Sequence, residues 1–185
     1  MTTANLERAI ANARSVLANV RADQLHDSTP CASWDVSGLI NHLVGGANWF
    51  ADNMTGGETA EADYAAGDYL AAYDTAAQRA VEAFSADGAM QQMVQLPFGT
   101  FPGVAFMGLA TTDTFTHTWD LARATGQDAG ALDPELAAQL LGQAKATIPD
   151  AFRGADGAAP FGPQAPVAED APAADQLAAF LGRNV

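Results

Sequence analysis

Leu6, Ile10, Ala13, Leu17 and Val20 recur at alternating steps of four and three residues, the spacing that lines up one face of an α-helix. Arg8, Arg14 and Arg21 fall off that stripe. The rhythm returns in Val36, Leu39, Ile40, Leu43, Val44 and Ala47, behind Asp35 as the expected N-cap of a helix running to about residue 53. A third stripe holds Leu70, Tyr73, Ala77, Ala80, Val81 and Phe84, and SADGAM (85–90) stops it. A fourth helix is expected from residue 102 or 103 to 125, with Gly126 placed to end it, and a fifth from Pro134 to a point before Pro149. Stripes of this kind are buried by packing helix on helix. The expected fold class is therefore all-α, a bundle of four main helices with C-terminal helical additions, and the 185 residues suit one domain.

Between the stripes lie connections. Residues 26–32 and the polar TGGETAEAD (55–63) read as joints. MVQLPFGTFPG (93–103) is too short and too rich in Gly and Pro for a helix, and an extended crossover with one short strand is expected. Residues 149–172, rich in Pro, Gly and Ala, are left without an assignment, and DQLAAFLGR (175–183) is expected to form a short helix docking through Leu177, Phe180 and Leu181.

A net charge of −14 argues against nucleic acid and anionic membrane surfaces as partners, since both attract clustered Lys and Arg. No stretch approaches ~18 uninterrupted apolar residues, and MTTANLERAI has no basic start followed by an apolar run, so a cytoplasmic location is expected. Cys31 is the only cysteine and its neighbours Pro30 and Ala32 carry no charge, so it reads as a small packing side chain rather than a nucleophile.

The fourth stripe is interrupted. Phe106, Ala110, Asp113, His117, Leu121 and Ala124 fall within about one quadrant of that helix. A carboxylate and an imidazole at i and i+4 converge on one point beside the helix, and burying them requires a cation, a hydrogen-bonded partner or a metal. Only three histidines exist: His26 lies in a connection, whereas His42 sits inside the second helix with Gly38, Gly45 and Gly46 around it. If those two helices are neighbours, His42 meets Asp113 and His117. Two imidazoles and a carboxylate suit zinc above all, with nickel and iron acceptable, and leave a coordination position open. The competing reading pairs Asp113 with His117 in the core and leaves His42 facing solvent.

Other residues carry two readings each. Asp120 either orients a ligand histidine or forms a salt bridge with Arg123, three positions on. Trp49, seven residues after His42, either walls the metal pocket or fills core. Trp34 is expected to staple the start of the second helix, and Trp119 to pack in the core away from Asp113 and His117. Thr116 and Thr118 are expected to bond their own helix backbone.

TPCASWDVSGLINHLVGG (29–46), THTWDLARATG (116–126) and LAAFLGR (177–183) resemble the actinobacterial metal-binding family related to mycothiol-dependent maleylpyruvate isomerase, within the DinB-like four-helix superfamily. The resemblance implies an up-down-down-up bundle with one metal site between helices. It places the family's histidine on His42 and its acid-x-x-x-His pair on Asp113 and His117. The isomerase has Glu where this chain has Asp113, one methylene shorter in reach, and carries an additional C-terminal domain. Family members also pair through bundle faces, so a homodimer is open. The function expected is a metal-dependent thiol S-transferase or isomerase. A low-molecular-weight thiol such as mycothiol would bind as thiolate and attack a small electrophile, with the metal as Lewis acid. A non-catalytic metal or small-molecule binding module and a metal-dependent hydrolase on the same ligands are the alternatives.

Overall fold

The computed structural model describes residues 2–155, 159 and 161–185. Its helices are α1 (Ala4–Leu17), α2 (Val36–Thr55), α3 (Tyr69–Ser85), α4 (Gly103–Ala124), α5 (Pro134–Thr147) and α6 (Ala173–Phe180), with strands β1 (Met93–Leu96) and β2 (Gly99–Pro102) between α3 and α4. The fold is all-α apart from that small sheet.

Local chemistry accounts for most boundaries. Asp35, Asp68 and Asp133 each accept a hydrogen bond from a first-turn N–H, of Gly38 at 2.8 Å, Ala71 at 3.0 Å and Leu136 at 3.1 Å. Each cap satisfies a donor the helix cannot and contributes about 1 kcal/mol. Gly56 and Gly126 end α2 and α4 in the left-handed region, at φ 77° and 70°. Gly103 opens α4 so close to the preceding turn that a Cβ there would stand 1.9 Å from the Ala89 carbonyl oxygen.

Contacts at the helix ends set the directions. At the start of α2, Ser37 N–H donates to the Leu25 carbonyl at 2.8 Å. At the start of α3, the Tyr69 hydroxyl donates to the Val20 carbonyl at 3.3 Å. Both helices therefore leave from the end where α1 stops, and Arg79 of α3 reaches Asp52 of α2 at 2.6 Å, so they run side by side. α4 begins at the opposite end and returns: Gln24 donates to the Thr125 carbonyl and Gln127 to the Val16 carbonyl, each at 3.0 Å. The order is up-down-down-up, with α1 packed on α4 and α2 on α3.

Residues 93–102 form two strands where one was expected. Val94 pairs with Phe101 and Leu96 with Gly99 in an antiparallel hairpin. Val94 and Leu96 alternate inward and are buried, a period of two that the surrounding Gly and Pro obscure in the sequence.

The larger apolar cluster joins Leu17, Leu39, Ile40, Leu43, Tyr73, Phe115, Trp119, Leu136 and Leu177. The smaller gathers Phe50, Met54, Phe84, Val94, Leu96 and Phe106. Trp119 is buried, as its helical position implied, and ties α4 to α6 by donating from Nε1 to Asp175 at 2.8 Å.

Among the described residues, Tyr73 Oη is the buried side-chain polar atom with no hydrogen-bond partner. An orphaned buried hydroxyl costs about 1–3 kcal/mol, whereas removing it from an apolar site is nearly neutral. Tyr73→Phe is therefore expected to leave stability unchanged or raise it by about 1 kcal/mol in urea unfolding. A loss of similar size would mean that the hydroxyl has a bound partner in solution. No helix among the described residues is long and apolar enough to cross a membrane.

Candidate metal centre

α2 and α4 pack against each other, and their shared face carries His42 on one side and Asp113 with His117 on the other. His42 Nε2 lies 3.1 Å from Asp113 Oδ2 and 3.3 Å from Oδ1. His117 Nε2 lies 3.6 Å from Asp113 Oδ1. One donor atom from each of the three falls within 4.8 Å of the others. Two donors on one tetrahedral zinc stand about 3.3 Å apart at ordinary Zn–N and Zn–O lengths. Both separations to the carboxylate are close to that figure, so two imidazole nitrogens and a carboxylate oxygen fit a divalent ion of the zinc type.

The site is packed on one side and open on the other. The side chains of His42 and Asp113 are 25% and 26% exposed, that of His117 11%. Trp34 stacks on His42 with ring centroids 4.4 Å apart at 23°, and meets His117 edge-on at 5.3 Å. Gly38 makes this possible, since a Cβ there would stand 2.9 Å from the Trp34 Cβ. Gly45 and Gly46 are less constrained, with the nearest neighbours of a Cβ at 3.9 Å.

Behind His117 lies a second layer centred on a fully buried carboxylate. His117 Nδ1 lies 3.0 Å from Asp120 Oδ2. A carboxylate can only accept, so Nδ1 carries the hydrogen, and in the neutral ring Nε2 keeps its lone pair on the side of Asp113 and His42. Asp120, 0% exposed, also accepts from Arg183 Nε at 3.2 Å and Nη2 at 3.0 Å. Burial disfavours the Arg183 charge, but Asp120, Cys31 and Asp113 outweigh it and hold the guanidinium pKa above its usual value.

These positions correct several expectations. Asp120 does not pair with Arg123, which lies over the Trp119 ring at 5.5 Å. Helical spacing permitted the pair, but Asp120 turns inward, where Arg183 arrives from the C-terminal tail. Trp49 packs on Phe50 and Phe106 at 5.1 and 5.4 Å, against the smaller apolar cluster. Among the described residues the aromatic ring touching both histidines is Trp34, and Gly38 four positions later was the available signal. Cys31 is not remote from charge: its sulfur falls within 4.8 Å of donor atoms of His117 and Asp120. A cation in that second group would meet the Arg183 guanidinium, so the trio built on Asp113 is the better centre. His26 is 90% exposed beside Asp35 and takes no part. Thr116 and Thr118 donate to the carbonyls of Thr112 and Thr114 in their own helix. A cleft of about 380 Å³ opens on the neighbouring face of α2, lined by Asn41, Gly45, Thr59, Glu61 and Tyr64, and none of the three donors lines it.

Burial pushes the Asp113 carboxyl up, but the hydrogen bond from His42 and the charges of His117, His42 and Arg183 outweigh it. The net pKa is below the usual carboxylate value. A depressed folded pKa gives stability that is complete above the unfolded pKa of about 3.9 and lost as pH falls through the folded value. The metal-free protein should therefore show a urea midpoint that declines below about pH 4 more steeply than that of Asp113→Asn. Superimposable acid limbs would contradict the assignment.

Residues 6–122 match the family model described as the mycothiol maleylpyruvate isomerase N-terminal domain. Two curated relatives, described as uncharacterised proteins of Mycobacterium tuberculosis strains CDC 1551 / Oshkosh and H37Rv, are each 46% identical over 175 residues, covering 92% of this chain and 91% of theirs. Crystal structures of a mutant of mycothiol-dependent maleylpyruvate isomerase and of the enzyme itself share the fold, with TM-scores of 0.60 and 0.57. Each is 18% identical over 75% of this chain, which spans 65% of the isomerase chain.

Proposed function

The chain belongs to the mycothiol maleylpyruvate isomerase N-terminal domain family, and from that membership we propose that it is a metal-dependent protein acting on a thiol and a small electrophile. Residues 1–185 work as one metal-binding helical domain, with His42, Asp113 and His117 as ligands. Zinc suits this donor set best, and nickel or iron would also be accepted. The thiol is mycothiol or a related small thiol. The reaction is an S-transfer or isomerisation of a small electrophile, and maleylpyruvate, the substrate of the structurally similar enzyme, is one compound to test.

The observation that carries this reading is the convergence of three donors from two helices within 4.8 Å, at a site open to solvent on one side. When bound, the ion would favour the thiolate form of a coordinated thiol and act as a Lewis acid toward the electrophile. The chain's own residues prepare the place. Asp120 keeps the hydrogen on His117 Nδ1, so that Nε2 is available as a donor. Trp34 covers the face of His42 and keeps water from that side. The exposed edges of His42 and Asp113 leave the approach for thiol and electrophile. No protein nucleophile is required.

Zinc-loaded protein should be incubated with mycothiol and a panel of electrophiles including maleylpyruvate. Thiol-dependent consumption of one of them, lost in His42→Ala, supports the reading. Stoichiometric zinc with no turnover on the panel would favour a non-catalytic binding module. Consumption without thiol would favour a hydrolase.

A further inference from the structure

We propose that Arg183, in the C-terminal tail, is a positioning residue for this centre: acting through Asp120, it holds the His117 ring in the orientation and tautomer that offer Nε2 to a metal. This rests on the metal-centre reading above, and it assigns a role to a residue outside the segment 6–122 that matches the family model.

Asp120 has one carboxylate and two demands on it. Oδ2 faces His117 Nδ1 at 3.0 Å and also accepts from Arg183 Nη2 at 3.0 Å, while Oδ1 accepts from Arg183 Nε at 3.2 Å. A guanidinium is a planar fork, and gripping both oxygens fixes the carboxylate plane as well as its position. The plane decides where Oδ2 points, and Oδ2 decides how the imidazole is turned. Without the fork, Asp120 would be a buried carboxylate that has lost its charged partner, an arrangement that burial penalises and that leaves its side-chain torsions less constrained.

The tail is built to deliver this side chain. Gly182, at φ 94°, lets the chain turn at the end of α6, and a Cβ there would stand 2.6 Å from the Gly162 Cα. The Gly182 and Arg183 N–H groups donate to the Ala179 and Ala178 carbonyls at 3.0 and 2.9 Å. Leu181 is buried, and α6 is tied to α4 through Trp119 and Asp175. The Arg183 side chain, 14% exposed, therefore approaches Asp120 from an anchored backbone.

Two readouts test this, neither of them activity. The first is Zn²⁺ affinity by competition with a chromophoric chelator for wild type, Arg183→Gln, Arg183→Lys and His42→Ala, with metal-free thermal unfolding of each. Arg183→Gln should bind zinc about 10–100-fold more weakly, as expected when the partner of a ligand histidine is disturbed. Arg183→Lys, which keeps charge but not the fork, should fall between. The second is the ¹⁵N signature of His117 in the metal-free protein, expected to be a single Nδ1–H tautomer in wild type and a mixture in Arg183→Gln. If the Gln variant does not fold, the same two readouts on the Lys variant decide. Wild-type zinc affinity and an unchanged tautomer in a folded Arg183 variant, alongside loss in His42→Ala, would overturn the proposal. If wild-type protein binds no zinc, the metal-centre reading fails, and the tautomer comparison still decides whether Arg183 sets the His117 ring.

Discussion

Zinc affinity is expected to fall by at least about 100-fold when His117 is replaced by alanine. Structural zinc sites with four protein ligands contribute roughly 10–16 kcal/mol, or about 3 kcal/mol per ligand, and about 1.4 kcal/mol is tenfold in affinity. His117 has both ring nitrogens committed, Nε2 toward Asp113 and Nδ1 to Asp120, so no other side chain replaces it. The loss should also leave the buried Asp120–Arg183 ion pair intact and the fold standing. Chelator competition at neutral pH checks this, with His26→Ala as the comparison because that ring is exposed and away from the trio. A His117→Ala protein within threefold of wild type would remove His117 from the centre.

Trp119→Ala should destabilise the protein by about 3–5 kcal/mol, the range for emptying a large aromatic site in a close-packed core. Trp119 is 1% exposed and packs in the larger apolar cluster, so the cavity would open among α4 and its neighbours rather than at the surface. The indole also donates to Asp175, which joins α4 to α6, and lies beneath Arg123 of its own helix. Urea unfolding should show a lower midpoint with an unchanged slope. A loss below about 1 kcal/mol would mean that the indole is not a core element.

The two effects come from residues two positions apart on one helix, and the sequence distinguished them. His117 shares a face with Asp113, whereas Trp119 points elsewhere, and a period of 3.6 residues is enough to say so. Helix boundaries were legible for the same local reason: Asp35, Asp133 and Gly126 stand where the chemistry of helix ends needs them. The placement of His42 opposite Asp113 required more, since spacing along a chain does not say which helices are neighbours. It depended on the assumption that α2 and α4 pack, and on the resemblance of WDVSGLINH and THTWDLARATG to a known family.

What stayed hidden was contributed from far away in sequence. Trp34 read as helix-start packing, and Gly38, four positions on, was the one local sign that its ring folds onto His42. Arg183 lies 63 residues from Asp120, and the nearer Arg123 was the natural partner on a helical wheel. Cys31 looked remote from charge because its charged neighbours arrive from α4 and the tail. The hairpin was half seen, since its inward pair, Val94 and Leu96, sits in a strand of four residues and its partner strand is mostly exposed.

The measurement closest to the central claim is the metal content of purified protein by elemental analysis, for wild type and for the Asp113→Ala, His117→Ala double variant. The account predicts about one divalent ion per wild-type chain and almost none in the double variant, with both proteins folded. A double variant that retains full metal occupancy would contradict it.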